Sequence, residues 1–452
     1  MATGAATVAL VAAWLTRPTL ALDDAAISFR YAARLAEGAG FTYNDGAHVL
    51  GASSALHTLL LAALTWLGLS TPTAGLALGL AGMAACAALV ALISMRLGGL
   101  PAAVVAVTIF VASPVRWYAT GGLESATLIA WCLAAVLARQ TGRDRLAGVA
   151  LGLALVTKLD AGALVVAITV SALIVRRRLP STTLAVAALT AAPWFAWATW
   201  RFGGPLPQSF LSKVSGGADA PGYRYDPTWV IRPARIAVPA AVAGVGVAAA
   251  RWREQPGREA RLTIGIWSVG ATTAVALLPL GAAYPWYLTP VWVTVALLAG
   301  DAGAWAWARV ARAGRPTSRA AGATAIVAIL LAATVALGLR TLAADLVDGR
   351  AVGPAETQWR DLRAAGRHIE RHHPGAVVEN CYGWTGFAAP SATIVDPCGL
   401  TSTGDTSRAT VAVDSVSRTS PAPRPGWCDE ATFDELARRT GVDDVIVVRV
   451  RC

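Results

Sequence analysis

Long apolar runs alternate with short polar segments along this chain, and the length of the runs predicts membrane-spanning helices. Eleven runs approach the length that crosses the hydrocarbon core of a bilayer, which is ~30 Å thick. Their approximate bounds are 4–21, 73–95, 100–118, 121–138, 146–157, 160–175, 182–200, 233–250, 262–280, 286–308 and 321–339. The first run has no convincing small-residue cleavage site, so we interpret it as a retained signal-anchor span. The pattern therefore predicts an α-helical polytopic membrane protein.

A further apolar stretch, residues 53–69, is ambiguous. Arginine clusters in 96, 139–145, 176–178, 251–261 and 309–319 mark cytoplasmic loops by the positive-inside rule. If 53–69 crosses the membrane, Asp23 and Asp24 face the cytoplasm; if it lies along the outer interface, they face outward. Its polar beginning and Trp66 near its end favour an interfacial helix. We therefore expect about 11 spans and a long first outer loop over 22–72, with 146–157 and 160–175 as two spans or one tilted helix.

Composition supports this class. Hydrophobic residues make up 55% of the 452 residues and charged residues only 14%, whereas about a quarter of a soluble domain is charged. The net charge of +11 lies in short clusters between apolar runs and is not interleaved with aromatic residues on one face. We therefore expect the lipid bilayer as a partner and no nucleic acid.

Four polar segments fall on the predicted outer face. In the first, helical spacing predicts an amphipathic helix over 24–37 that lies on the membrane. The other three are GGLES at 121–125, TKLD at 157–160, and FGGPLPQSFLSKVSGG at 202–217 within a second outer loop, 201–232. The charged residues of the four segments are Asp23, Asp24, Arg30, Arg34, Glu124, Lys158, Asp160 and Lys213. Charges at membrane depth usually pair or face a polar cavity, so these segments are candidates for a site.

A polar tail, residues 340–452, follows a membrane domain over 1–339 and lies outside in this topology. Helix-like stretches at 356–372 and 429–440 alternate with strand-like stretches at 376–379, 392–396 and 443–450, which predicts a small extracytoplasmic α/β domain. The tail contains four cysteines, which allow three pairings in an oxidising compartment. We favour the disulfides Cys381 with Cys398 and Cys428 with Cys452. A zinc module is not indicated, because no histidine is spaced from these cysteines as in a zinc site.

Six segments together resemble a known family. In chain order they are DDAAISFRYAARLAEGAGFTYNDG, VLGASSALHTLLLA, GGLESATLIA, LALVTKLDAG, PLPQSFLSKVSG and ATIVDPCGLTSTGD. This ordered set is similar to bacterial GT-C-fold glycosyltransferases, and most to the mycobacterial terminal arabinofuranosyltransferases that use a decaprenylphosphoryl donor. The chain departs from the family pattern at 50–53, His57, 158–161 and 208–209.

The resemblance implies an inverting glycosyltransferase that moves a sugar, arabinofuranose by best match, from a polyprenyl-phosphate donor to a cell-envelope polysaccharide. It implies that Asp23 or Asp24 is the general base for the acceptor hydroxyl. Candidate phosphate ligands are Arg30, Lys158 and Lys213, and candidate pocket residues are Glu124, Asp160, His57 and Tyr31. We expect no required cofactor, although the outer acids leave a divalent cation open. The location is the plasma (inner) membrane, with the site and the tail outside.

Each candidate also has a structural interpretation. The aspartates could cap a helix, Arg30 could anchor at the interface, and Glu124 could cap the following span. Lys158 and Asp160 could pair with each other. Lys213 could be a solvated loop residue, and His57 a buried structural residue.

Two other classes of protein remain open. A secondary transporter would also carry intramembrane charges, but it should show inverted repeats, and none is visible here. A non-catalytic carbohydrate-binding membrane protein would not need the pair Asp23 and Asp24. The sequence leaves the sugar, the acceptor and the linkage open.

Overall fold

The computed structural model describes residues 1–214, 241–251, 257–276, 285–311, 318–347, 354–398, 401, 406–417, 424–435, 438 and 444–452. Helices dominate the described part of residues 1–347. In chain order they are α1 (Ala2–Thr16), α2 (Asp23–Ala36), α3 (Ala55–Trp66), α4 (Thr71–Ala112), α5 (Val115–Thr120), α6 (Ser125–Gln140), α7 (Asp144–Thr157), α8 (Gly162–Arg176), α9 (Ser181–Phe202), α10 (Gln208–Val214), α11 (Ala241–Ala250), α12 (Arg258–Ala276), α13 (Thr289–Ala311) and α14 (Ser318–Val347).

Three helical segments among the described residues are long and apolar enough to cross a membrane: Thr71–Ala112, Leu159–Arg176 and Trp286–Ala311. The first of them, α4, is interrupted at Gly98 and Gly99, which have non-helical backbone angles and separate the two spans expected at 73–95 and 100–118. Shorter apolar helices include α1, α3, α6 and α11. The structure thus has the expected helical bundle, and the number of 11 spans stays a prediction.

Helix α3 occupies the ambiguous stretch. Its 12 residues extend for only about 18 Å, which is too short for the hydrocarbon core. His57 and Thr58 near its start are buried, whereas the Trp66 side chain at its end is 75% exposed. These features fit the interfacial helix better than a full traverse.

The apolar stretches before and after Lys158 form two helices, not one. Arg139 pairs with Asp144 at the start of α7 and with Glu259, and Glu259 also accepts from Arg176 at the end of α8. Helix α7 therefore begins where α8 ends, so the chain reverses direction between them. Helix α7 packs between α6 and α9, while α8 packs against α12.

Several arginines from different helices meet at one end of the bundle. Arg96, Arg139, Arg176 and Arg258 line a single cavity of about 450 Å³. At the same end, Asp301 of α13 is only 1% exposed, and it accepts hydrogen bonds from Arg251 and Arg261, each at 2.8 Å. These ion pairs connect α13 to Arg251 at the end of α11 and to Arg261 in α12.

The tail folds as a small α/β domain. Its elements are α15 (Pro354–His372), β1 (Val377–Glu379), α16 (Gly383–Ala388), β2 (Thr393–Val395), β3 (Val411–Ser417), β4 (Trp427–Phe433) and β5 (Asp444–Arg451). The sheet has the order β2-β1-β3-β5-β4. Strand β1 pairs in parallel with β2 and β3, and strand β5 pairs antiparallel with β3 and β4. The disulfides Cys381–Cys398 and Cys428–Cys452 confirm the expected pairing.

The helix expected at 429–440 is wrong in its first part. Residues Trp427–Phe433 form β4, which pairs antiparallel with β5. Pairing with a strand more than ten residues away overrides the local helical preference, and the Cys428–Cys452 disulfide fixes that pairing. Strand β3 and helix α16 were not expected from the sequence.

Helix α2 does not lie on a membrane surface with one face open. It packs on α3 and α4 on one side and on α16 of the tail domain on the other. Phe29 of α2, Tyr43 of the first outer loop, and Trp384 and Ile394 of the tail belong to one hydrophobic core. The tail domain and the first outer loop therefore fold together as one unit.

Candidate active site

Asp23 and Asp24 are the first two residues of α2, where the chain leaves α1. Asp23 is 3% exposed, and its Oδ2 and Oδ1 accept hydrogen bonds from the N–H groups of Gly383 at 2.9 Å and Trp384 at 2.8 Å. Asp23 therefore caps α16 of the tail domain. A Cβ on Gly383 would lie 2.1 Å from the Asp23 carbonyl oxygen, so the close approach requires glycine.

Asp24 follows Asp23 on α2, and its side chain is half-buried. Successive residues of a helix point about 100° apart, so the two carboxylates face different surroundings. The Leu22 N–H donates to the Gly121 carbonyl at 2.8 Å, which brings the start of α2 against the GGLES segment. Asp24 is two residues after Leu22 and Glu124 is three residues after Gly121, so both acidic residues lie close in sequence to this hydrogen bond.

Gly122 makes this contact tight. Its φ of +87° favours glycine, and an added Cβ would lie 2.7 Å from the Phe29 ring and 3.1 Å from the Ala25 Cβ. The Gly122 carbonyl oxygen in turn contacts the Nε2 atom of His57, at 3.1 Å. One glycine thus joins α2, α3 and the beginning of α6.

Glu124 and Lys158 form a buried ion pair at this junction. Glu124 directly precedes α6, and Lys158 has an extended backbone between α7 and a 3₁₀ turn. The Lys158 Nζ donates to Glu124 Oε1 at 2.5 Å and lies 4.7 Å from the centre of the Tyr287 ring. The second and third polar segments of the sequence therefore form one site, with Tyr287 as a member that sequence reasoning missed.

His57 is fully buried in this cluster. The Gly122 carbonyl oxygen can only accept, so Nε2 carries the proton of a neutral ring and Nδ1 is the acceptor. Nδ1 has no hydrogen-bond partner within the described part of the chain. Burial lowers the pKa of His57, although the nearby Glu124 carboxylate acts in the opposite direction. The imidazole is therefore neutral at physiological pH.

Arg30 and Tyr31 serve the packing of the first outer loop. The Arg30 guanidinium donates to the carbonyl oxygens of Tyr43, Gly386, Ala389 and Ala392, the last three in the tail domain. Tyr31 is buried, donates to the Val49 carbonyl at 2.8 Å and accepts from the Gly51 N–H at 2.9 Å. Arg30, a candidate phosphate ligand, thus holds the tail domain. Tyr31, a candidate pocket residue, holds the segment 49–51.

Asp160 and Lys213 are the last two candidates. Asp160 is exposed on the 3₁₀ turn, and in the described part of the chain the ion pair of Lys158 is with Glu124. Lys213 belongs to α10, but its side chain and most of the loop 201–232 lie outside the described residues. Asn44, which the sequence did not single out, pairs with the Ile394 backbone through both ends of its amide, at 2.7 and 2.9 Å.

Comparison with solved structures gives matches over most of the chain. ArnT from Cupriavidus metallidurans bound to undecaprenyl phosphate matches with a TM-score of 0.60 and 16% identity, over 99% of this chain and 98% of that chain. The Archaeoglobus fulgidus oligosaccharyltransferase tethered to an acceptor peptide matches with a TM-score of 0.60 and 12% identity, over 92% and 69%. No protein-family model and no curated protein matches the sequence.

These matches define the class of fold. Both neighbours are GT-C-fold glycosyltransferases, and this chain has the same fold. The expected GT-C fold is therefore confirmed.

Proposed function

We propose that this protein is an integral-membrane glycosyltransferase that transfers a sugar from a polyprenyl-phosphate donor to a hydroxyl of a cell-envelope glycan, with inversion. The match to ArnT over nearly the full length of both chains carries the proposal, because that structure holds undecaprenyl phosphate. The sugar we propose, arabinofuranose, is supported by the six segments that resemble terminal arabinofuranosyltransferases. The arginine distribution supports a plasma-membrane location with the site outside.

Asp24 is the general base in this proposal. Asp23 is only 3% exposed and holds two backbone N–H groups of the tail domain, whereas Asp24 is half-buried and thus more accessible to an acceptor hydroxyl. Asp24 takes the proton of the acceptor hydroxyl as the glycosidic bond forms. The bond between the anomeric carbon and the phosphate oxygen breaks at the opposite face, which inverts the configuration and releases polyprenyl phosphate. Asp23 acts as a positioning residue.

Lys158 is the proposed ligand of the leaving phosphate. An ammonium group has three donors, and the ion pair with Glu124 uses one of them. Glu124 keeps the cation at the junction of α2, α3 and α6, where its charge can offset the charge developing on the phosphate. We place Lys213 as a second ligand from the outer loop. Tyr287, Asp160 and His57 border the same region.

No metal is required at the reacting atoms in this proposal. The cationic side chain supplies the charge that a divalent ion would otherwise supply to the phosphate. We expect turnover to persist after extensive treatment with a chelator, and activity that is lost with chelator and regained with Mg²⁺ or Mn²⁺ would contradict this point.

The test is a transfer assay in proteoliposomes with decaprenylphosphoryl-arabinose and an arabinan oligosaccharide. We expect Asp24→Asn to lower turnover by about 10²–10⁴-fold, the usual contribution of a general base. The matched control is Asp45→Asn, the same change at a 92% exposed carboxylate of the same loop, which should keep full turnover. Full turnover of Asp24→Asn would remove the base assignment. An inactive wild-type protein that takes up a small solute saturably would support the transporter class.

A further inference from the structure

Three metal-ligating side chains meet on the tail domain, away from the proposed active site. His368 lies near the end of α15, His373 follows that helix, and Glu430 lies on β4. His368 Nε2 is 3.1 Å from Glu430 Oε1, and His373 Nε2 is 2.6 Å from Glu430 Oε2. One ligand atom from each residue lies within 4.8 Å of the other two. Glycosyl transfer as proposed above uses none of these residues.

The backbone directs these side chains toward one point. The His373 N–H still donates to the Ile369 carbonyl at 2.7 Å, so both histidines are held at the last turns of α15. In β4 the register against β5 shifts between Asp429 and Ala431, which leaves Glu430 as the extra residue of a β-bulge. A bulge re-aims a side chain and is over-represented next to functional sites. The bulge thus turns Glu430 toward α15.

A disulfide and packing contacts hold β4 and α15 in place. The Cys428–Cys452 disulfide joins β4 to the strand beside it, two residues before Glu430. Helix α15 packs against β4 and β5 and against α16. The side chains of His368, Glu430 and His373 are partly shielded, at 18%, 27% and 29% exposure, yet they remain open to an ion from solution. Metal sites need ligands that are held in this way by their supports.

Two imidazole nitrogens and one carboxylate oxygen are the donor set of many zinc sites with three protein ligands. With bonds of about 2.0–2.2 Å, tetrahedral geometry places neighbouring ligand atoms about 3.4 Å apart. The imidazole nitrogens lie 3.1 and 2.6 Å from the two different oxygens of Glu430, and one ligand atom of each residue lies within 4.8 Å of the others, so side-chain rotations that open these two contacts would admit the ion. Ca²⁺ and Mg²⁺ prefer oxygen ligands and fit the set poorly.

We propose that His368, His373 and Glu430 bind one Zn²⁺ ion, which joins the end of α15 to the bulge of β4 and leaves a fourth position for water or an external ligand. The spacing between histidines and cysteines does not reveal this cluster, because its carboxylate lies 62 positions from His368 and 57 from His373.

Zinc binding can be measured on the full-length protein in detergent, purified through a tag without histidine and stripped with a chelator. We expect titration with ZnCl₂ to show one saturable site per chain. Glu430→Gln and His373→Ala should each weaken it at least about tenfold, the loss that removal of even an outer-shell partner produces. The control is His372→Ala, which removes a neighbouring histidine whose ring lies 4.4 Å from that of His368. This variant should bind as the wild type does.

A second measurement separates the site from a folding defect. Co²⁺ in place of Zn²⁺ should give the visible absorption of a four-coordinate site in the wild type and in His372→Ala. Glu430→Gln should lack this absorption while its thermal stability equals that of the wild type, which shows that it is folded. Absence of a saturable site in the wild type, or equal affinity in Glu430→Gln, would show that the cluster is only a pair of histidine–carboxylate hydrogen bonds. Neither result depends on glycosyl transfer, so the two proposals fail separately.

Discussion

Replacing Asp23 with asparagine should loosen the tail domain from the first outer loop. The carboxylate accepts two backbone N–H bonds, from Gly383 and Trp384. A hydrogen bond to a charged group contributes about 1.5–3 kcal/mol, and an unsatisfied buried donor costs about 1–3 kcal/mol. Asparagine keeps one acceptor oxygen but presents an NH₂ group to the other N–H. The expected cost of Asp23→Asn is therefore about 2–4 kcal/mol.

Hydrogen exchange measures this cost where it occurs. A change of 2–4 kcal/mol corresponds to an opening equilibrium raised by about 30-fold to 1,000-fold, so backbone amides in Gly383–Ala388 should exchange faster by about this factor. Gly383→Ala should have a similar effect from the opposite side of the contact. Asp45→Asn, at an exposed ion pair worth at most about 1 kcal/mol, should change little. Unchanged exchange in Asp23→Asn would refute the docking role of this carboxylate.

Three further predictions concern other buried contacts. Lys158→Met leaves Glu124 buried without its cation, so it should lower the free energy of unfolding by about 3–5 kcal/mol. Adding Glu124→Gln to this variant should restore part of the lost stability without restoring turnover. Asp301→Ala removes the buried carboxylate that accepts from Arg251 and Arg261, so it should lower the free energy of unfolding by ~3–5 kcal/mol. An unshifted thermal midpoint would count against a stabilising role for these ion pairs. Cys428→Ser removes the disulfide that closes a loop of 24 residues, so it should lower the free energy of unfolding by about 3 kcal/mol. A reductant should destabilise the wild type but not the double variant Cys428→Ser/Cys381→Ser, and this result would verify that both disulfides form.

The sequence predicted the elements whose signal is local. Helix α2 was expected at 24–37 and runs over Asp23–Ala36, because its hydrophobic spacing is helical. Four tail cysteines allow three pairings, and the structure contains the one that we favoured, Cys381–Cys398 with Cys428–Cys452. The helix assigned to 429–440 failed because strand pairing of β4 depends on a partner that local propensity does not include.

Contacts between distant segments were the part that the sequence could not supply. Lys158 and Asp160 share one polar segment, which suggested mutual pairing, but Lys158 pairs with Glu124, 34 residues earlier. The family resemblance led us to expect that Arg30 binds phosphate. Its partners are carbonyl oxygens up to 362 residues later, so only the docked tail domain shows its role.

The ratio and the stereochemistry of the two products test the central claim most directly. With donor lipid labelled in both the polyprenyl and the sugar part, the account predicts one free polyprenyl monophosphate for each new glycosidic bond, and an anomeric configuration opposite to that of the donor. Sugar transfer without release of the lipid monophosphate, or with retained configuration, would contradict the account.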